Sequence, residues 1–135
     1  MTKVVLHRLA TTKKALEACR LVEALYLAGK KVLVAFTDAG RAATFDAYLW
    51  TFSQGSFVPH SLWDGDGEPD DPVVLALGVL GRPNGATALV VLDPLPDLAV
   101  AGAFEEVHDL ITSAPGDEGK ETLWAASGFE VQLKR

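Results

Sequence analysis

Val32-Leu33-Val34-Ala35-Phe36 is an apolar run with no polar interruption. A strand with one wet face alternates apolar and polar residues. An unbroken apolar run marks a strand covered on both faces, the usual condition of a parallel sheet between layers of helices. Ala88-Leu89-Val90-Val91-Leu92 is a second run of this kind. Between the amino terminus and Trp50 the pattern alternates. Residues 4–9 (Val-Val-Leu-His-Arg-Leu) predict a strand. Leu16, Cys19, Leu21, Val22, Leu25 and Tyr26 recur at roughly helical spacing, with Thr11 or Thr12 as the cap and Gly29 as the stop. The run at 32–36 follows, and Asp38 is placed to cap a second helix reaching about Trp50. Strand–helix–strand–helix selects a parallel sheet with right-handed crossovers.

Further along, residues 57–60 are short and extended, because the residue before Pro59 avoids the helical region. Residues 64–72 form a polar loop, 73–77 a short strand and 81–85 a turn. A helix is expected over about 98–111, with Phe104, Val107, Leu110 and Ile111 facing in. Pro115-Gly116 breaks the chain, and a last short helix covers about 118–126. Gly128 ends it, and residues 129–133 alternate like an edge strand. The sum is an α/β fold: a single-domain three-layer sandwich over residues 1–135 with a mostly parallel sheet. Its topology is nucleotide-binding-like, without a phosphate loop.

A length of 135 residues is one domain's worth. The net charge of -6 argues against a sequence-independent DNA binder, which needs a basic field. The charge is uneven. Residues 1–59 carry eight Lys/Arg against four Asp/Glu, and residues 60–135 carry four against fourteen. No apolar run approaches the ~18 residues of a membrane span. The first residues lack a signal-peptide layout. A single cysteine, Cys19, excludes a disulfide framework. These features fit a reducing cytoplasm.

The motifs of catalysis are missing. Neither G-x-G-x-x-G nor G-x-x-x-x-G-K-[ST] occurs, and the first strand-to-helix turn, Ala10-Thr11-Thr12, has no glycine to admit a pyrophosphate. There is no G-x-S-x-G elbow and no H-E-x-x-H pair. Cys19, among leucines, reads as buried and inert. His7, His60 and His108 lie in separate elements and read as structural or surface residues. As a calcium loop, residues 64–75 place Pro69 where a glycine is required and Leu75 where a bidentate Glu is required. Glu105 and Asp109, at i and i+4, read as a solvent face of the expected helix. No cofactor and no metal are implied.

Residues 48–63 are different. Tyr48, Leu49, Trp50, Phe52, Phe57, Val58, Leu62 and Trp63 crowd a stretch where a helix ends and a polar loop begins. A Trp and a Phe together contribute several kcal/mol when buried, at ~25 cal/mol per Å². They either close an edge of the core or form a docking patch, the role in which Trp and Phe are enriched.

Leu49-Trp50 followed by Ser56-Phe57-Val58-Pro59-His60-Ser61-Leu62 resembles the L-W … S-F-V-P-H-x-L signature of the chi subunit of DNA polymerase III. Gly29-Lys30-Lys31-Val32-Leu33-Val34-Ala35 with Asp38 resembles that family's G-K-R-V-L-I-A … D. Residues 104–109 resemble its F-x-E-V-x-D helix, and Gly128-Phe129 stands where the family has a glycine before its last strand. The resemblance spans nearly the whole chain, in order. It implies a non-catalytic adaptor for DNA replication. One surface would hold the psi subunit of the clamp loader, with Trp50 and Phe57 as anchors and Val58 and Pro59 adding shape complementarity. Another would take the acidic, Phe-ending tail of the single-stranded-DNA-binding protein, through Ile111, Lys120 and Trp124. The last helix has one Lys and no Arg, so this tail binding is expected to be weakened or lost. DNA contact would be mainly indirect, with no membrane involved. Two alternatives stay open: a small-molecule or nucleotide-binding α/β domain, and a divergent relative that self-associates through the Trp50/Phe57 patch.

Overall fold

The computed structural model describes residues 2–10, 13–55, 57–93, 95 and 97–134. Among these residues the strands are β1 (Lys3–Arg8), β2 (Val32–Phe36), β3 (His60–Trp63), β4 (Val73–Leu77), β5 (Ala88–Val91), β6 (Glu106–Ile111) and β7 (Glu130–Lys134). The helices among them are α1 (Lys14–Leu27), α2 (Ala39–Thr51) and α3 (Lys120–Ala125), with 3-10 turns at Leu98–Ala103 and Pro115–Asp117. The sheet order is β3-β4-β2-β5-β6-β1-β7. Every pairing is parallel, so the sheet is wholly rather than mostly so.

The chain winds from β1 outward to β3 at one edge, then returns to β7 at the other. The outward crossovers, α1 and α2, pack on one face against Val32, Val34, Phe36, Leu75, Val90 and Leu110. The return connections pack on the opposite face, where Phe104 and Trp124 meet Leu33, Ala35, Leu89, Val91 and Val107. Opposite winding directions on opposite faces are what right-handed crossovers require. The result is three layers with two cores, which is why β2 and β5 are buried throughout.

Local chemistry sets the helix ends. Asp38 Oδ1 accepts from the backbone N–H of Gly40 at 2.7 Å and of Arg41 at 3.2 Å, so the predicted cap of α2 is present. At the end of α1, Gly29 adopts φ 83° and donates to Tyr26 O, while Lys30 N–H reaches back to Leu25 O. That is the paired closure a left-handed glycine permits. The Thr11/Thr12 cap lies outside the described residues.

The expected helix over 98–111 is not formed. A 3-10 turn ends at Ala103, and residues 106–111 are the interior strand β6. Phe104, Val107, Leu110 and Ile111 are all buried, as expected, but on two faces: Leu110 belongs to one core and the other three to the second. A strand covered on both sides buries every residue, and its short apolar run does not separate strand from helix by spacing. Asp109 is therefore no solvent-face carboxylate. The last helix is also shorter than expected, Lys120–Ala125.

Candidate partner-docking site

In α2 the buried positions Ala42, Phe45 and Leu49 repeat at i, i+3 and i+7, so Leu49 turns in and the next residue turns out. Trp50 is 45% exposed. The helix stops at Thr51, and Gly55, with φ 80°, lets the chain double back. Phe57 emerges 64% exposed, whereas Val58 is 1% exposed and packs in the core beneath α2. The His60 side chain is fully buried and straps the returning chain to the helix. Its Nδ1 lies 2.7 Å from Val58 O, and its Nε2 lies 3.0 Å from Asp46 Oδ1. The Trp50 ring sits on it, with centroids 4.2 Å apart, and the Phe57 ring sits 5.5 Å from Trp50. Leu62, 45% exposed, continues the patch onto β3. Its partner in register is Leu75, so it faces the same side of the sheet as α2.

Two of the four residues expected at this surface, Trp50 and Phe57, are thus exposed together, and Pro59 is half-buried beside them. Val58 is corrected to a core residue: alternation along the extended stretch turns Phe57 out and Val58 in. Leu62 joins the patch unannounced, because His-Ser-Leu-Trp does not alternate polar with apolar residues.

The three residues expected at the second surface point inward. Ile111 and Trp124 are buried, Trp124 to 2% exposure. The Trp124 indole donates to Asp109 Oδ2 at 2.9 Å. Lys120 Nζ has Asp109 Oδ1 at 3.0 Å, Asp117 Oδ1 at 2.9 Å and Leu110 O at 3.2 Å. An ammonium has three donors, and all three are engaged. Burial pulls the Lys120 ammonium toward neutrality, but Asp109 and Asp117 outweigh it and hold it above its ordinary range. Asp117 moves the opposite way. Burial disfavours its charge, yet Lys14, Thr112 and Lys120 hold the carboxyl well below the usual carboxylate range. Ile111 also borders a cleft of about 460 Å³ with Arg8, Thr112, Asp117, Glu118 and Glu121, where carboxylates outnumber cations.

The crevice at the carboxyl ends of β2 and β5 is where doubly wound folds hold phosphates. Here the chain's own Asp93 fills that role. Its Oδ2 accepts from Thr37 N–H at 2.7 Å, Asp38 N–H at 3.1 Å and Thr37 Oγ1 at 3.2 Å, and Arg41 pairs with Oδ1. Burial opposes the charge of Asp93, but these donors outweigh it and keep the carboxyl below its ordinary range. The backbone donors that would cradle an anion are taken. Burial pushes the Cys19 thiol up to about 12, as suits an inert core residue. Among the described residues no group of three or more His, Cys, Asp or Glu is placed to hold a metal. No helix of the described residues is long and apolar enough to cross a membrane.

A family model described as DNA polymerase III chi subunit, HolC, matches residues 1–122. A curated relative from Pseudomonas aeruginosa, DNA polymerase III subunit chi, is 32% identical over 122 residues, covering 87% of this chain and 83% of that protein. The Haemophilus influenzae protein of that name is 34% identical over 109 residues, covering 78% and 70%. A probable DNA polymerase III subunit chi from Rickettsia prowazekii is 31% identical over 75 residues, covering 56% and 45%. With a family match over nearly all of its length, and the sheet and aromatic patch just described, this chain belongs to the DNA polymerase III chi subunit family.

Proposed function

We propose that this chain is a non-catalytic, single-domain adaptor of DNA polymerase III, working in the cytoplasm. It docks to the clamp loader by covering Trp50, Phe57 and Leu62 with the psi subunit or its equivalent. The observation that carries the reading is the solvent exposure of Trp50 and Phe57 while two complete cores lie elsewhere in the molecule. Burying a Phe is worth roughly 1.5–3 kcal/mol, and a neighbouring Trp adds comparably, so the patch supplies a hot spot rather than a general stickiness. Pro59 fixes the backbone that presents Phe57, and Val58 anchors that backbone from below.

Phe57→Ala tests this directly. Psi capture is expected to be lost, with stability unchanged to within about 0.5 kcal/mol, as for a surface side chain. Loss of several kcal/mol of stability with capture intact would sink the reading. Contact with DNA is indirect, as the net charge of -6 suits.

The acidic, Phe-ending tail of the single-stranded-DNA-binding protein is bound weakly or not at all. Lys120, the one cation of α3, has its donors occupied by Asp109, Asp117 and Leu110 O, and the adjoining cleft is acidic. Calorimetric titration with such a peptide should give no submicromolar affinity; finding one would overturn this part.

A further inference from the structure

We infer that the partner engages the free edge of β3 as an added strand, an extended segment that alternates apolar residues with Lys or Arg. This rests on the docking reading above and specifies the chemistry of its occupant. β3 is the last strand of the sheet on its side. It contains no Lys, Arg, Asp, Glu or Pro, the residues that ordinarily protect an exposed edge. The two faces beside that edge differ in chemistry. On the α2 face stand Phe57, Trp50 and Leu62, all exposed and apolar. On the opposite face Trp63 turns its indole to Gly67 O at 3.1 Å, which draws the following loop over that side. Asp64, Asp66, Glu68 and Asp70 of this loop are exposed. Among the described residues Asp70 alone of these has a cation within 4 Å, Lys31 at 3.9 Å.

A strand laid along β3 sends successive side chains to opposite faces. One set meets the aromatic patch and the other meets the carboxylates. Alternation of apolar and basic residues is the pattern that satisfies both, with backbone hydrogen bonds to β3 supplying sequence-independent affinity. A helix over Trp50 and Phe57 would reach the apolar face alone and leave the loop without a role.

The test uses the full chain and two short synthetic peptides, one alternating Val/Phe with Lys and one with Glu in place of Lys. The lysine peptide is expected to bind, and to slow hydrogen exchange at those amides of residues 60–63 that point away from β4. The glutamate peptide is expected to bind at least about tenfold more weakly. A chain carrying Asp64→Asn, Asp66→Asn, Glu68→Gln and Asp70→Asn should erase that difference. Equal affinity of the two peptides, absence of binding by both, or binding without protection at 60–63 overturns the inference. Psi capture by Phe57→Ala, measured alongside, separates the two readings. If capture depends on Phe57 while the peptides fail, the adaptor stands and strand addition falls. If the peptides bind as expected while capture ignores Phe57, the strand site stands and the psi assignment falls.

Discussion

The two edges of this sheet end differently. At one side β7 alternates Glu130, Gln132 and Lys134 on one face, all exposed, and on its other face packs Val131 against the core that holds Trp124 while Leu133 stays 38% exposed. Any second strand approaching β7 would have to strip water from those charges, and this repels unintended pairing. At the other side β3 carries no such charge and borders three exposed apolar side chains. Besides Trp63, which lies in β3 and packs toward the core on the face away from α2, one tryptophan beside each edge sharpens the contrast. Trp124 is locked beneath the sheet by Asp109, while Trp50 lies open on His60 and Phe57. Protection at one end shows that the fold has the means to blunt an edge. Leaving the other bare is therefore a property of that edge and not of the architecture.

The largest effect expected from this contrast is on the tryptophans. Trp124→Ala removes a fully buried ring and leaves Asp109 without its indole donor, so it should cost about 3–5 kcal/mol in urea denaturation. Trp50→Ala loses only the packing of a half-exposed ring on His60 and should cost distinctly less, about 1–2 kcal/mol, and yet abolish capture of the psi protein. Equal destabilisation by the two would erase the distinction between the edges. Next in size, Leu62→Lys gives β3 the kind of charge β7 already has. Partner affinity should fall by about tenfold or more, because a buried unpaired ammonium is costly to desolvate, while the melting temperature stays put. The converse change, Glu130→Val with Lys134→Val, strips the protection from β7. It should produce concentration-dependent self-association in sedimentation velocity that the parent lacks, a smaller and less specific effect.

Much of this was legible before the fold was known, and where reading failed the reasons are physical. The runs at 32–36 and 88–92 announced doubly covered strands because nothing polar interrupts them, and Asp38 announced α2 because an Asp just before a helical pattern can accept from the first turn's free N–H groups. Residues 106–111 misled because β6 carries His108 and Asp109 inside it. His108 is accommodated by His7 and Glu106, and Asp109 by Lys120 and Trp124, partners that only the folded chain supplies. The docking patch was half legible. A Trp and a Phe at a helix end are costly to expose, which flags the segment, but composition does not say that Phe57 turns out while Val58 turns in. Ile111, Lys120 and Trp124 were drawn to the surface by resemblance alone, and the carboxylates of Asp109 and Asp117 draw Lys120 and Trp124 inward.

The smallest expected effect sharpens the comparison at the β7 end, and it is a dependence on pH. His7 Nε2 lies 2.8 Å from His108 Nδ1, and His108 Nε2 lies 2.7 Å from Oε1 of Glu106, whose Oε2 Lys30 holds at 2.5 Å. Burial, the neighbouring His108 and Lys134 bring the His7 pKa down to about 4 from an ordinary 6.5. Burial likewise lowers that of His108, outweighing Glu106. Well above pH 6.5 both imidazoles are neutral whether the chain is folded or not, so the pair contributes no slope there. As pH falls from 6.5 toward 4 the unfolded chain takes up protons that the folded chain refuses, and stability must decline. Urea midpoints measured across that range should drop for the parent and drop less for His7→Asn, which still offers a hydrogen-bonding side chain to His108 without a proton to gain. A parent midpoint that is level from 6.5 to 4 would mean the two imidazoles beside β7 are not held as neutral partners.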